Sequence, residues 1–139
     1  MPSLLLAFFG TFYFTFVDLG IGPPLIPYAA GQWIQISGIS LQVSAKFWLG
    51  RSFGLVPANR GLVLGGPYRI VRHPMYLGYF LNHMGYLVCT YSTRNLVVYA
   101  MLYAIQIGRI VQEEKLLSKD PAYAEYSKRV RYRFVPFVY

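Results

Sequence analysis

A chain of 139 residues has the length of one domain, but 55% apolar, 18% aromatic and only 13% charged residues set it apart from a soluble one. The net charge of +8 is unevenly placed: no Lys or Arg precedes Lys46, and Asp18 is the sole acid in that stretch. Basic residues mixed with Tyr and Phe beside apolar runs suit juxtamembrane segments facing anionic lipid, which argues against nucleic acid as a partner. The single Cys89 excludes an internal disulfide, and two histidines without ligand spacing argue against a metal site.

Four apolar stretches approach the roughly 20 residues a membrane helix needs: 3–20, 25–49, 75–91 and 95–118. The first lacks a basic leader and a small-residue cleavage site, so it reads as a retained span rather than a signal peptide. Pro23-Pro24 ends it, and the short links predict two helical hairpins. Thr11, Thr15 and Asp18 share a stripe of the first span, and Gln32, Gln35, Gln42 and Lys46 a stripe of the second. Such stripes turn toward neighbouring helices because lipid contact is costly for them. After the fourth stretch, Asp120 reads as an N-cap and Pro121 as a first helical residue, starting a helix over 121–130 with an interfacial composition. The expected fold is an all-α polytopic membrane protein, with about four transmembrane helices plus a C-terminal interfacial helix. Arg51, Arg60, Arg69 and Arg72 between spans two and three, and the basic tail, place both termini on the cytoplasmic side.

Chemistry concentrates in two clusters. The segment 65–78 is a Gly-Gly-Pro turn followed by Arg72, His73 and Pro74, the last opening a helix whose first N–H groups lack intrahelical partners. With Arg72 and His73 beside them, those donors suit an anionic or carboxylate-bearing ligand. A basic loop that merely sets topology is the plainer alternative. In the second cluster Gln106, Arg109 and Glu113 share a helix face, with Glu114 adjacent. An interfacial ion pair is the plainer reading there; the functional one has Arg109 hold an anionic group and Glu113 a cofactor. His83, inside the third span, reads as a packed, hydrogen-bonded histidine.

Together these clusters resemble the isoprenylcysteine carboxyl methyltransferases and their bacterial relatives, which include phospholipid methyltransferases. The resemblance runs from about Arg60 onward, through Gly66-Pro67-Tyr68, Arg72-His73-Pro74-Met75-Tyr76-Leu77-Gly78, Glu113-Glu114 with Leu117, Tyr123, Tyr126, Val130, Arg133-Phe134 and Pro136. The N-terminal half itself matches no motif of the family. With the hairpin that the apolar runs give over 1–50, the resemblance implies a cofactor-binding methyltransferase core over 51–139, within one membrane domain. It also implies S-adenosyl-L-methionine held from the cytoplasm by Gly61, Leu62, Val63, Tyr68, His73, Pro74, Met75, Tyr76, Glu113 and Glu114. Arg109, assisted by Arg72, would act on the acceptor, a lipophilic small molecule or lipid such as an isoprenylcysteine-type carboxylate. Two alternatives stay open. The closing Val130-Arg131-Tyr132-Arg133-Phe134-Val135-Pro136 also resembles NADPH-dependent sterol reductases, and a non-catalytic lipid-binding membrane protein would retain the same fold.

Overall fold

The computed structural model describes residues 12–20, 22–50, 63–136 and 138. It is all-α, with four α-helices and no strand among the described residues. A short 3-10 turn at Tyr13–Phe16 precedes α1 (Tyr28–Leu49), and another at Gly66–Arg69 leads into α2 (Pro74–Cys89). The chain continues through α3 (Thr93–Leu117) and α4 (Pro121–Arg129).

The helix ends follow the local chemistry. Pro27 precedes α1, Pro74 opens α2 after His73, and Ser92 caps α3. Asp120 caps α4, its carboxylate accepting from the Ala122 N–H at 2.9 Å, with Pro121 as first residue, as expected. The predicted first span differs. Its first nine residues lie outside the described ones, and the rest is the Tyr13–Phe16 turn followed by non-helical backbone. Asn95 explains that departure: its side chain accepts from the Asp18 N–H at 2.7 Å and donates to the Asp18 carbonyl at 2.9 Å. Backbone held by a distant side chain is unavailable for helix bonds.

α1 and α2 run antiparallel with almost no side chain between their backbones. Gly31 opposes Gly85 and Gly38 opposes Gly78, so both helices repeat glycine at a seven-residue interval. A methyl group on Gly38 would lie 2.6 Å from the Asn82 nitrogen and 2.7 Å from the Gly78 carbonyl oxygen. Small residues permit this approach and are the usual device of helix pairs in lipid. Gln35 and Gln42 turn onto the same seam, against Gly85 and Gly78. Leu87, Tyr99 and Leu102 form the α2–α3 core, and His83 sits beside it, 2.6 Å from each of the Tyr13 and Tyr103 hydroxyls.

Among the described residues, no helix is both long and apolar enough to cross a membrane. That differs from the four spans expected from the sequence. α2 has 16 residues, about 24 Å of helix, short of a hydrocarbon core of about 30 Å. α1 and α3 are long enough, but the glutamines of one and Arg94, Asn95, Gln106 and Arg109 of the other lower their mean hydropathy.

Candidate functional site

The two motif clusters meet where α2 begins and α3 ends. Glu114 sits at the centre, buried, with its carboxylate surrounded by donors. Arg72 Nη1 lies 3.1 Å from Oε1, His73 Nε2 3.2 Å from the same oxygen, and Arg133 Nε donates to Oε2 at 2.6 Å. The Tyr123 hydroxyl donates to Oε1 at 3.4 Å. An ionised carboxylate offers about four acceptor positions, and here four side chains claim them. Burial pushes the Glu114 carboxyl upward, but the hydrogen bonds from His73 and Arg133 together with the Arg72 charge outweigh it, leaving the pKa below the ordinary value.

The tail completes this network through its backbone. The Arg72 N–H donates to the Tyr132 carbonyl at 2.9 Å and the His73 N–H to the Arg133 carbonyl at 2.8 Å. These two donors lie just before the first N–H groups of α2 that the sequence suggested for an anionic ligand, and the returning tail occupies them. The Tyr126 hydroxyl donates to the Tyr68 carbonyl at 2.6 Å, fixing α4 under the 3-10 turn. Tyr123 and Tyr126 are buried by these contacts, so the aromatic face of α4 packs on protein, and Glu125, Lys128 and Arg129 stay outside.

Glu113 occupies a different environment from its neighbour. The Tyr76 hydroxyl donates to its Oε2 at 3.4 Å, and the Glu113 and Arg109 charges both act on that hydroxyl. Burial, and after it the same carboxylate, raises the Tyr68 phenol well above the usual value. The His73 ring lies beside Tyr76, with centroids 5.8 Å apart. Two turns back on α3 from Glu113, Gln106 is buried and its carbonyl Oε1 has no donor among the described residues. Tyr68, His73, Pro74, Tyr76, Arg109 and Glu113 therefore gather at one end of the α2–α3 pair, with Met75 half-buried on the same helix turn. Val63 is half-buried, while Gly61 and Leu62 lie outside the described residues. Glu114 is present but committed to the ion network. Spacing alone missed Arg133 and the tail carbonyls, since nothing local marks them as partners of a residue 19 positions away.

Among the described residues no group of three His, Cys, Asp or Glu side chains could hold a metal ion. The arrangement instead offers carboxylate and amide acceptors, aromatic rings and an arginine at the mouth of a helix pair. That is the donor set of a site for a polar, partly cationic organic molecule.

Comparison with known proteins gives the family. The phospholipid methyltransferase family matches residues 21–125, most of the chain, and the chain belongs to that family. It is 31% identical over 113 residues to the cobalt-zinc-cadmium resistance protein CzcN of Cupriavidus metallidurans, across 71% of this chain and 50% of that protein. It is 33% identical over 85 residues to the Delta(14)-sterol reductase TM7SF2 of Mus musculus, across 58% of this chain and 20% of that one. The chain thus spans half the length of the first relative and a fifth of the second.

Proposed function

We propose that this protein is a membrane-embedded methyltransferase that holds S-adenosylmethionine at the α2–α3 mouth and methylates a lipophilic acceptor. The observation that carries the reading is the meeting of Tyr76 and Glu113, 37 positions apart and one from each family motif, beside Tyr68 and Arg109. The residues fit the cofactor. Glu113 can accept from an ammonium or ribose hydroxyls, and the unpartnered Gln106 oxygen calls for an N–H or O–H donor. The Tyr76 ring suits a neighbouring cation.

When bound, the cofactor supplies a methyl group already activated as a sulfonium substituent. The protein's task is then to hold donor and acceptor in attack geometry. Arg109 orients the acceptor's carboxylate, and the Arg72–Glu114–Arg133 network fixes the start of α2 on which Tyr76 stands. A carboxylate acceptor has no proton to lose, so no general base is needed. An isoprenylcysteine-type carboxylate or a related lipid has the required chemistry.

Support for the membrane location comes from faces rather than from mean hydropathy. Trp33, Ile36, Ile39, Val43 and Phe47 form an exposed apolar face on α1, while Gln35 and Gln42 turn onto the glycine seam. α3 has 25 residues, and Glu113 and Glu114 lie beyond the first 20 or so that a bilayer would take up. The basic tail that follows favours the cytoplasmic side for that end.

Calorimetry on detergent-purified protein tests the reading, with a Kd in the micromolar range expected for S-adenosylmethionine, about −8 kcal/mol. NADPH run in parallel tests the reductase alternative, which the 33% identity to the mouse reductase over 85 residues favours. Binding of NADPH alone would sink the methyltransferase reading, and binding of neither would favour a non-catalytic lipid binder. Labelled-methyl transfer to a prenylcysteine analogue and to membrane lipid extracts then identifies the acceptor class.

A further inference from the structure

The last turns of α3 present two differently furnished sides. At 3.6 residues per turn, Arg109 and Glu113 fall toward Tyr76, whereas Val111, Lys115 and Ser118 share another stripe. That stripe borders a cleft of about 400 Å3 reaching α4 and the tail. Arg72, Lys115 and Arg133 line it from three separate parts of the chain, Ser118 and Ser127 contribute hydroxyls, and Val111 an apolar wall. Glu114 is the one acid in the lining, so the cleft carries an excess of two positive charges. Nor is Arg72 saturated: Nη1 meets Glu114 and Nη2 the Arg131 carbonyl, but the buried Nε–H has no acceptor among the described residues.

The stripe continues back along α3 through Val111, Ile107, Ala104, Met101 and Val97, all exposed. From Val97 to Val111 it runs about 21 Å, more than one leaflet's hydrocarbon depth of about 15 Å. A cationic cleft at the end of a lengthwise apolar track matches one ligand shape: an anionic head joined to a long chain. We propose that this surface holds one anionic phospholipid of the surrounding membrane, with its phosphate among Arg72, Lys115 and Arg133 and an acyl chain along the α3 stripe. It lies on the far side of Glu114 from Tyr76 and Glu113, so it is a bound lipid distinct from the methyl acceptor. Charge selects the headgroup: a zwitterionic one would bring its own cation into an already cationic cleft. Free phosphate would fill the polar end and leave the track bare. The inference rests on the proposed membrane location and is independent of methyl transfer.

The test is native mass spectrometry of the full chain released from mixed phosphatidylcholine–phosphatidylglycerol vesicles, counting the lipids retained. A single phosphatidylglycerol should be retained in preference to phosphatidylcholine, and excess inorganic phosphate should not displace it. Lys115→Gln removes one exposed cation without touching the Glu114 network and should cut the preference about fivefold. Equal retention of both lipids, an unchanged preference in Lys115→Gln, or displacement by phosphate would each overturn the proposal. Failure of the protein to enter phosphatidylcholine vesicles at all would overturn the membrane reading and this one with it.

Discussion

Helix α2 is held in two places by opposite means. Along its flank, Gly78 and Gly85 meet Gly38 and Gly31 of α1, and the contact exists because side chains are missing. At its start, Arg72 and His73 join Arg133 and Tyr123 around Glu114, and the contact exists because four side chains converge on one carboxylate. A seam of backbone against backbone tolerates no addition. A charge cluster tolerates no loss. The seam sets how close the helices lie, while the cluster ties the end that carries Tyr76 to α3 and the tail.

The largest effect should come from adding to the seam. Gly38→Leu places atoms where the Asn82 and Gly78 backbones already sit and should cost upward of about 3 kcal/mol, leaving little folded protein. Thermal unfolding in detergent would show it, and a variant as stable as the parent would dissolve the comparison. Subtracting from the cluster comes next. Glu114→Gln leaves Arg72 and Arg133 without their counter-charge and should cost about 2 to 3 kcal/mol.

The pH dependence of that loss gives a sharper check. The folded-state pKa of Glu114 is depressed, so its stabilisation is present above the ordinary carboxylate range near 4 and fades as pH falls through the lower folded value. The stability gap between parent and Glu114→Gln should therefore hold from pH 7 to about pH 5 and close below about pH 4. A gap that stays open in acid would mean that packing, not charge, accounts for the loss.

Glu113→Ala should barely change the melting temperature but weaken S-adenosylmethionine binding about tenfold by calorimetry, the range expected for one charge-assisted hydrogen bond. Equal thermal losses in the Glu113 and Glu114 variants would erase the distinction between the two sides. The smallest effect is a control: a methyl group on Gly108 meets nothing within 4 Å, so Gly108→Ala should stabilise α3 by about 0.5 to 1 kcal/mol.

Much of the fold was legible because it is local. Pro74, Asp120 and Pro121 mark helix starts whatever surrounds them, and α2, α3 and α4 begin and end within two residues of the sequence reading. The family resemblance likewise brought Tyr76 and Glu113 under suspicion. Other features required partners that no local pattern names. The Thr11–Asp18 stripe read as helix, yet Asn95, 77 positions away, holds Asp18 in a non-helical backbone. α4 read as a membrane-surface helix, yet its tyrosines find Tyr68 and Glu114. Mean hydropathy treats Gln35 and Gln42 like any exposed glutamine, although both face the seam.

The sequence by itself determined the helical class, the helix boundaries and the methyltransferase family, because caps, prolines and motif residues act through their immediate neighbours. Only the tertiary structure decided which glutamate does what. Glu113 and Glu114 are adjacent in the chain and identical in chemistry, but a helix turns about 100° between them. One faces Tyr76, and the other is locked among arginines that the fold alone brings together.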